Sequence, residues 1–171
     1  MSSSANCQLV ISMKIKIVAV GKLKEKYLVT GVQEFVKRLQ PYCSLEIVEV
    51  AEGVLVDNPS TAQLNSHFLQ EGERVLKHIP DRAYVFLLDL HGEQFSSEGL
   101  SAKLDALSVN GYSCFVFVIG GAFGVGTNLQ TRANSRWSFS KLTFTHQMIR
   151  LLLVEQIYRT FKISKGEKYH W

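Results

Sequence analysis

The stretch Val118 to Gly126 reads Val-Ile-Gly-Gly-Ala-Phe-Gly-Val-Gly. Glycines directly after an apolar run let the backbone adopt positive φ and approach a ligand closely. In open α/β sheets, ligands sit at the carboxyl ends of strands. This stretch is therefore the first candidate binding loop, with a plain tight turn as the simpler alternative. Two familiar nucleotide loops are excluded. A dinucleotide fingerprint needs GxGxxG, whereas Gly124-Val125-Gly126 runs on into Asn128 and Leu129. A P-loop needs Gly-Lys followed by Ser or Thr, and the sequence has none.

The second candidate is Ser138 to Thr145, Ser-Phe-Ser-Lys-Leu-Thr-Phe-Thr, rich in hydroxyls. Alone it reads as a strand ending in an N-cap. It gains meaning only if the fold brings it to the glycine loop. The third is the helix that starts at His146. Met148, Ile149, Leu151, Leu152, Leu153, Val154, Ile157, Tyr158 and Phe161 cover most of its circumference. A helix apolar nearly all round is buried on more than one side, and a homodimer interface is the simplest way to bury a terminal helix so fully. Arg150, Glu155 and Arg159 interrupt it. Glu155 and Arg159 are spaced to pair on one helix face; Arg159 is open to that structural role or to an RNA contact. The fourth is the tail, Lys165-Gly-Glu-Lys-Tyr-His-Trp. Tyr169, His170 and Trp171 suit either stacking on an unpaired base or packing of the terminus, and His exchanges protons near neutral pH.

Metal chemistry finds no support. His67, His78, His91 and His146 lack ligand spacing and read as surface or capping residues, and Cys7, Cys43 and Cys114 form no CxxC pair. Neither a zinc site nor a disulfide framework is expected, and a reducing, cytoplasmic setting is the natural reading.

The elements that must position these residues alternate between strand and helix. Periodicity predicts strands at Ile15 to Val20, Leu45 to Val50, Ala83 to Asp89, Cys114 to Ile119 and Trp137 to Thr143. It predicts helices at Lys24 to Gln40, Thr61 to His78, Ser97 to Leu107, Asn128 to Ser135 and His146 to Ile163, the last capped by Thr145. The strands at Ala83 and Cys114 are apolar nearly throughout, as in a sheet covered on both faces. Alternation of this kind implies a parallel, doubly covered α/β sheet.

The chain has 171 residues, 46% apolar and 20% charged, with a formal net charge of +4. That size suits one domain with a real core. The charge is compatible with a polyanionic partner but lacks the dense basic stripe of a protein gripping long naked RNA. No apolar run approaches the roughly 18–20 residues needed to span a bilayer, so no membrane association is expected. Residues 1–12 are Ser-rich and uncharged and read as a short disordered extension, with a single domain at 13–171.

Taken in order, Phe-Val-Ile-Gly-Gly, then Ser-Phe-Ser-Lys-Leu-Thr-Phe-Thr-His-Gln-Met-Ile-Arg-Leu-Leu-Leu-Val-Glu-Gln-Ile-Tyr-Arg, then the final Tyr-His resemble the ribosomal RNA large subunit methyltransferase H family. The opening Val-Ala-Val-Gly-Lys-Leu-Lys-Glu-Lys-Tyr is similar too, so the likeness runs from Met13 to Trp171. The resemblance implies the SPOUT fold, a parallel-sheet α/β domain with a C-terminal trefoil knot, which sequence periodicity does not reveal. It implies a homodimer that moves a methyl group from S-adenosylmethionine to N3 of a pseudouridine in the large-subunit rRNA of the assembled ribosome. The family's cofactor positions fall on Leu88, Gly120, Phe139, Ser140, Lys141, Leu142, Thr143 and Phe144. Its tail falls on Tyr169 and His170, expected to be catalytic, and Arg150 and Arg159 are candidates for holding RNA phosphates. The chain departs from many members at Thr145, where they have Pro, and at Trp171, where they have a basic residue. A tRNA methyltransferase of the same fold and a non-catalytic ribosome-associated module are the alternatives.

Overall fold

The structure is a computed structural model that describes residues 12–169. The expected extension, apart from Ser12, and the tail residues His170 and Trp171 lie outside the described residues.

Five strands form one parallel sheet: β1 (Lys14–Val20), β2 (Ser44–Val50), β3 (Tyr84–Gln94), β4 (Cys114–Ile119) and β5 (Ser135–Ser138), in the order β2-β1-β4-β3-β5. The parallel sheet expected from the alternating pattern is present. Side-chain alternation sorts residues to its two faces. On β4, Phe115, Phe117 and Ile119 point to one side, and Val116 and Val118 to the other.

The aromatic side is covered by α1 (Lys26–Leu39), α3 (Ser97–Val109) and α5 (Met148–Ser164). Leu39, Leu100, Leu104, Leu153, Val154 and Ile157 are buried there against the sheet. Phe86 of β3 stacks on Phe117 of β4, with centroids 4.9 Å apart. The valine side is covered by α2 (Thr61–Leu76) and α4 (Thr127–Arg132), through Val75 and Leu129. Burial on both faces explains why β4 carries no polar residue after Cys114.

Local chemistry sets the helix starts. Ser60 and Gln63 form a reciprocal capping box on α2. Ser96 accepts from the Gly99 N–H at the start of α3. Thr145 Oγ1 accepts from the Met148 N–H at 3.1 Å. The expected cap is therefore in place, although α5 begins two residues later than His146.

The largest difference from expectation is the last strand. It ends at Ser138, and residues 139–147 are irregular. Ser138 Oγ donates to the Ser140 carbonyl at 2.9 Å, and Ser140 Oγ accepts from the Leu142 N–H at 2.8 Å. Such local bonds offer the backbone an alternative to a sheet ladder. In the other direction, β3 runs past Asp89 to Gln94, with a register shift against β5 between Leu88 and Glu93. Gly92 makes that possible: a Cβ there would stand 2.6 Å from the backbone of Arg136 and Trp137.

Candidate active site

The carboxyl ends of β3, β4 and β5 open into one cleft of about 180 Å³. Leu88 and Asp89 enter from β3, Ile119 and Gly120 from the end of β4, and Trp137 and Ser138 from β5. The irregular loop adds Phe139, Ser140, Leu142, Thr143 and Phe144, and the start of the α5 region adds His146 and Ile149. The fold thus joins the glycine loop to the hydroxyl-rich segment. Of the eight residues expected to hold a cofactor, Lys141 alone is absent from the lining; it is exposed on the same loop.

Each part has a local cause. At Gly120 a Cβ would stand 2.4 Å from Val125 Cγ1, so only glycine lets the following loop fold back over the strand end. The indole of Trp137 stacks on Phe139, centroids 4.3 Å apart. Leu142 and Phe144 remain exposed at the rim of the cleft, at 70% and 42%. The Trp137 Nε1–H is buried and has no hydrogen-bond partner among the described residues. A buried donor left unpaired is costly, and this one belongs to a residue that lines the cleft.

Asp89 supplies negative charge. Its carboxylate accepts from Arg136 Nε at 2.7 Å and from the His91 N–H at 2.9 Å. Burial pushes its pKa up, but the His91 N–H and the Arg136 guanidinium outweigh that and hold it below its ordinary value.

Arg150 corrects an expectation. It was a candidate for holding phosphate, yet it is 3% exposed. Its guanidinium donates to Glu49 Oε1 at 2.7 Å and to the carbonyls of Val20 and Gly21 at 3.0 and 2.7 Å. Burial pulls its pKa down, with Glu49 opposing. A guanidinium enclosed in this way clamps the end of β1, with Nη1 and Nη2 engaged by Glu49 and two backbone carbonyls. Arg159 pairs with Glu155, Nη2 to Oε1 at 2.6 Å, the structural alternative open from the sequence.

Tyr169 lies elsewhere than the cleft. Its hydroxyl donates to Glu155 Oε1 at 2.7 Å, and Arg159 sits 4.1 Å above its ring. Burial, followed by the Glu155 carboxylate, pushes its pKa up to about 12. Glu155 follows the cleft residue Ile149 by six residues, about 9 Å along the axis at ~1.5 Å per residue. The tail therefore rests beside the middle of α5. His170 lies outside the described residues.

His67 also departs from its surface reading. It is 8% exposed, with Nε2 3.2 Å from Glu71 Oε1. Glu71 in turn accepts from the Gly53 N–H at 2.9 Å. Among the described residues, no group of three or more His, Cys, Asp or Glu is placed to hold a metal, and no helix is long and apolar enough to cross a membrane.

The family described as "Predicted SPOUT methyltransferase" matches residues 13–170. This chain belongs to the SPOUT methyltransferase family. Among curated relatives of this SPOUT methyltransferase, the protein named Ribosomal RNA large subunit methyltransferase H from Halothermothrix orenii is 48% identical over 158 residues, 92% of this chain and 99% of that one. The proteins of that name from Enterococcus faecalis and Clostridium acetobutylicum are each 48% identical, again over 92% of this chain and 99% of theirs. A solved structure, a probable methylase family protein from Haemophilus influenzae Rd KW20, superposes with a TM-score of 0.52 at 12% identity, over 92% of this chain and 70% of that one. At that identity it bears on the fold alone. The parallel α/β architecture expected from the resemblance is thus that of a SPOUT methyltransferase.

Asp89, Trp137 and His146 of this SPOUT methyltransferase line the cleft without having been singled out for it. Asp89 carried a readable signal, being the first charged residue after an apolar strand, where open sheets place ligands. Trp137 carried none, since a Trp in a short strand is ordinarily core.

Proposed function

We propose that this protein is a large-subunit rRNA methyltransferase that transfers a methyl group from S-adenosylmethionine to N3 of a pseudouridine in the assembled ribosome, working as a homodimer with the trefoil-knotted chain path of its family. The observation that carries this reading is the single cleft built from the ends of β3, β4 and β5 and from the loop through Phe144. Its names come from relatives that share nearly half of its residues along almost their whole length.

The cleft's chemistry suits the cofactor. Trp137, Phe139 and Phe144 offer flat apolar surface to a purine. Ser138, Ser140 and Thr143 offer hydroxyls to a ribose. The Asp89 carboxylate complements a cationic group, and the unpaired Trp137 Nε1–H offers a donor to a ligand acceptor. When bound, S-adenosylmethionine supplies a methyl group activated on a sulfonium.

The protein's own part is positional and acid–base. The residues lining the cleft hold the donor and exclude water. N3 of pseudouridine carries a proton that must leave as the nitrogen attacks, and His170 is the candidate to accept that proton or to orient the group that does. Tyr169 positions the nucleoside. Because Tyr169 rests on Glu155, about 9 Å along α5 from the cleft, the tail serves the neighbouring subunit's cleft in the dimer rather than its own. Reaction needs the nitrogen and methyl about 3–3.5 Å apart and in line, which a tail closing over the site promotes.

The cofactor assignment is tested by titrating S-adenosylmethionine calorimetrically into the wild type and into Gly120→Val. One site per chain is expected in the wild type. The variant should lose that heat while keeping its α/β circular dichroism. Equal binding by both proteins would remove the cleft from the cofactor site.

A further inference from the structure

With Arg150 engaged by Glu49 and two carbonyls, exposed cations are the ones open to phosphate, and the segment that Arg150 clamps carries three. Residues 21–26 read Gly-Lys-Leu-Lys-Glu-Lys and lead from β1 into α1. Their backbone is fixed at several points. Arg150 holds the Gly21 carbonyl at 2.7 Å. Glu49 Oε1 accepts from the Leu23 N–H at 2.8 Å. Gln147 Oε1 accepts from the N–H groups of Lys24 and Glu25 at 3.0 and 3.4 Å.

These anchors set the segment beside the cleft. Gln147 follows His146, which lines the cleft. A Cβ built on Gly21 would lie 3.8 Å from His146 Nε2. The side chains of Lys22, Lys24 and Lys26 are all exposed, and none forms an ion pair among the described residues. Glu25 is the one acid in the segment. Elsewhere on the surface, Lys16, Arg38, Lys103, Arg136 and Lys162 are paired with carboxylates. Lys37 and Lys77 are likewise exposed and outside those pairs; what sets Lys22, Lys24 and Lys26 apart is that they alternate along one short segment whose backbone is held beside the cleft. Lys141, exposed on the loop that walls the cleft, adds to the same rim.

We infer that Lys22, Lys24 and Lys26 form a phosphate-contacting surface that seats the rRNA loop at the cleft, with Arg150, Glu49 and Gln147 as the residues that position it. This rests on reading the protein as an rRNA methyltransferase. Unpaired lysines are depleted from the cores of interfaces between proteins, whereas phosphate contacts are made by such cations and fix the register of the nucleic acid. A compact set of contacts also agrees with a net charge of only +4. Tyr27, 64% exposed in the first turn of α1, lies next to this surface and offers a ring on which an unpaired base can stack.

The test compares the wild type with the triple variant Lys22→Ala, Lys24→Ala, Lys26→Ala and with the triple Lys→Arg variant. Binding to ribosomes lacking the modification is measured by filter retention across a salt series, together with methyl transfer, S-adenosylmethionine affinity and molar mass. The slope of log affinity against log salt should fall by about 2 in the alanine variant, from ~0.7 per phosphate contact on single strands. Its KM for ribosomes should rise at least about tenfold at physiological salt. Its kcat, cofactor affinity and molar mass should match the wild type, and the arginine variant should restore the slope. An unchanged slope in the alanine variant would overturn the inference. So would a weaker affinity accompanied by a change in molar mass, which would assign the surface to contact between copies. A wild type that binds ribosomes with the lysine-dependent slope but transfers no methyl would support the surface and overturn the enzymatic reading instead.

Discussion

Arg150 of α5 and Glu49 of β2 meet at 2.7 Å beneath the turn that leaves β1. The contact joins the last helix of the chain to the sheet and to the backbone of Val20 and Gly21. Replacing Arg150 by Met keeps much of its volume but leaves those two carbonyls without the guanidinium and Glu49 without its counter-ion. Loss of a buried charge partner of this kind costs about 2–4 kcal/mol. For a chain of this size that lowers Tm by roughly 4–16 °C. A thermal melt followed by circular dichroism reads the change, and a Tm equal to the wild type's would show that the clamp contributes nothing.

Asp89 links the cleft to stability through pH. Its carboxyl titrates below the ordinary value of 3.8 in the folded protein. The unfolded chain therefore binds the proton first as pH falls, and the contribution of Asp89 is fully present above about pH 4 and lost below it. Asp89→Asn should flatten this part of the acid unfolding curve. With the proposed cationic cofactor, the same substitution should weaken binding about tenfold, or ~1.4 kcal/mol. Unchanged affinity in a calorimetric titration would place the carboxylate outside the cofactor contact.

Tyr169 works in the opposite direction. Its pKa is raised to about 12, burial being the larger cause and Glu155 the next. The unfolded phenol loses its proton first, near pH 10, so the stability that Tyr169 contributes is present below pH 10 and lost as pH rises toward 12. Tyr169→Phe should remove this alkaline component, seen as a smaller loss of Tm between pH 9 and 11. The tail is held at a second point, where Glu167 accepts from Tyr42 and Lys162, both at 2.6 Å. Tyr169→Phe should therefore loosen the tail without releasing it. A pH profile identical to the wild type's would contradict the contact with Glu155.

Much of the fold was legible in the sequence because burial leaves a plain pattern. Phe115, Phe117 and Ile119 alternating with Val116 and Val118 mark a strand covered on both faces. The glycine loop and the hydroxyl-rich segment were legible as site candidates from composition alone, and the fold joins them in one cleft. The end of β5 was not legible. The alternation of Ser138, Phe139, Ser140 and Lys141 suits a strand, and only the turn closed by the two serine hydroxyls stops it. Arg150 was misread for a related reason. An arginine on a helix suggests a surface cation, and its burial depends on Glu49 and Gly21, far away in the chain. His67 similarly takes its partner and its burial from tertiary packing.

The most direct measurement is methyl transfer itself. The wild type and His170→Ala are each incubated with labelled S-adenosylmethionine and with ribosomes lacking the modification, and the label is located by digestion and mass spectrometry. The wild type should place one methyl on N3 of a pseudouridine in the large-subunit rRNA, on whole ribosomes and not on free rRNA. His170→Ala should lose that transfer while keeping the wild-type affinity for S-adenosylmethionine. Tight cofactor binding by the wild type with no methyl on ribosomal RNA would contradict the proposed reaction and turn attention to tRNA or to a non-catalytic role.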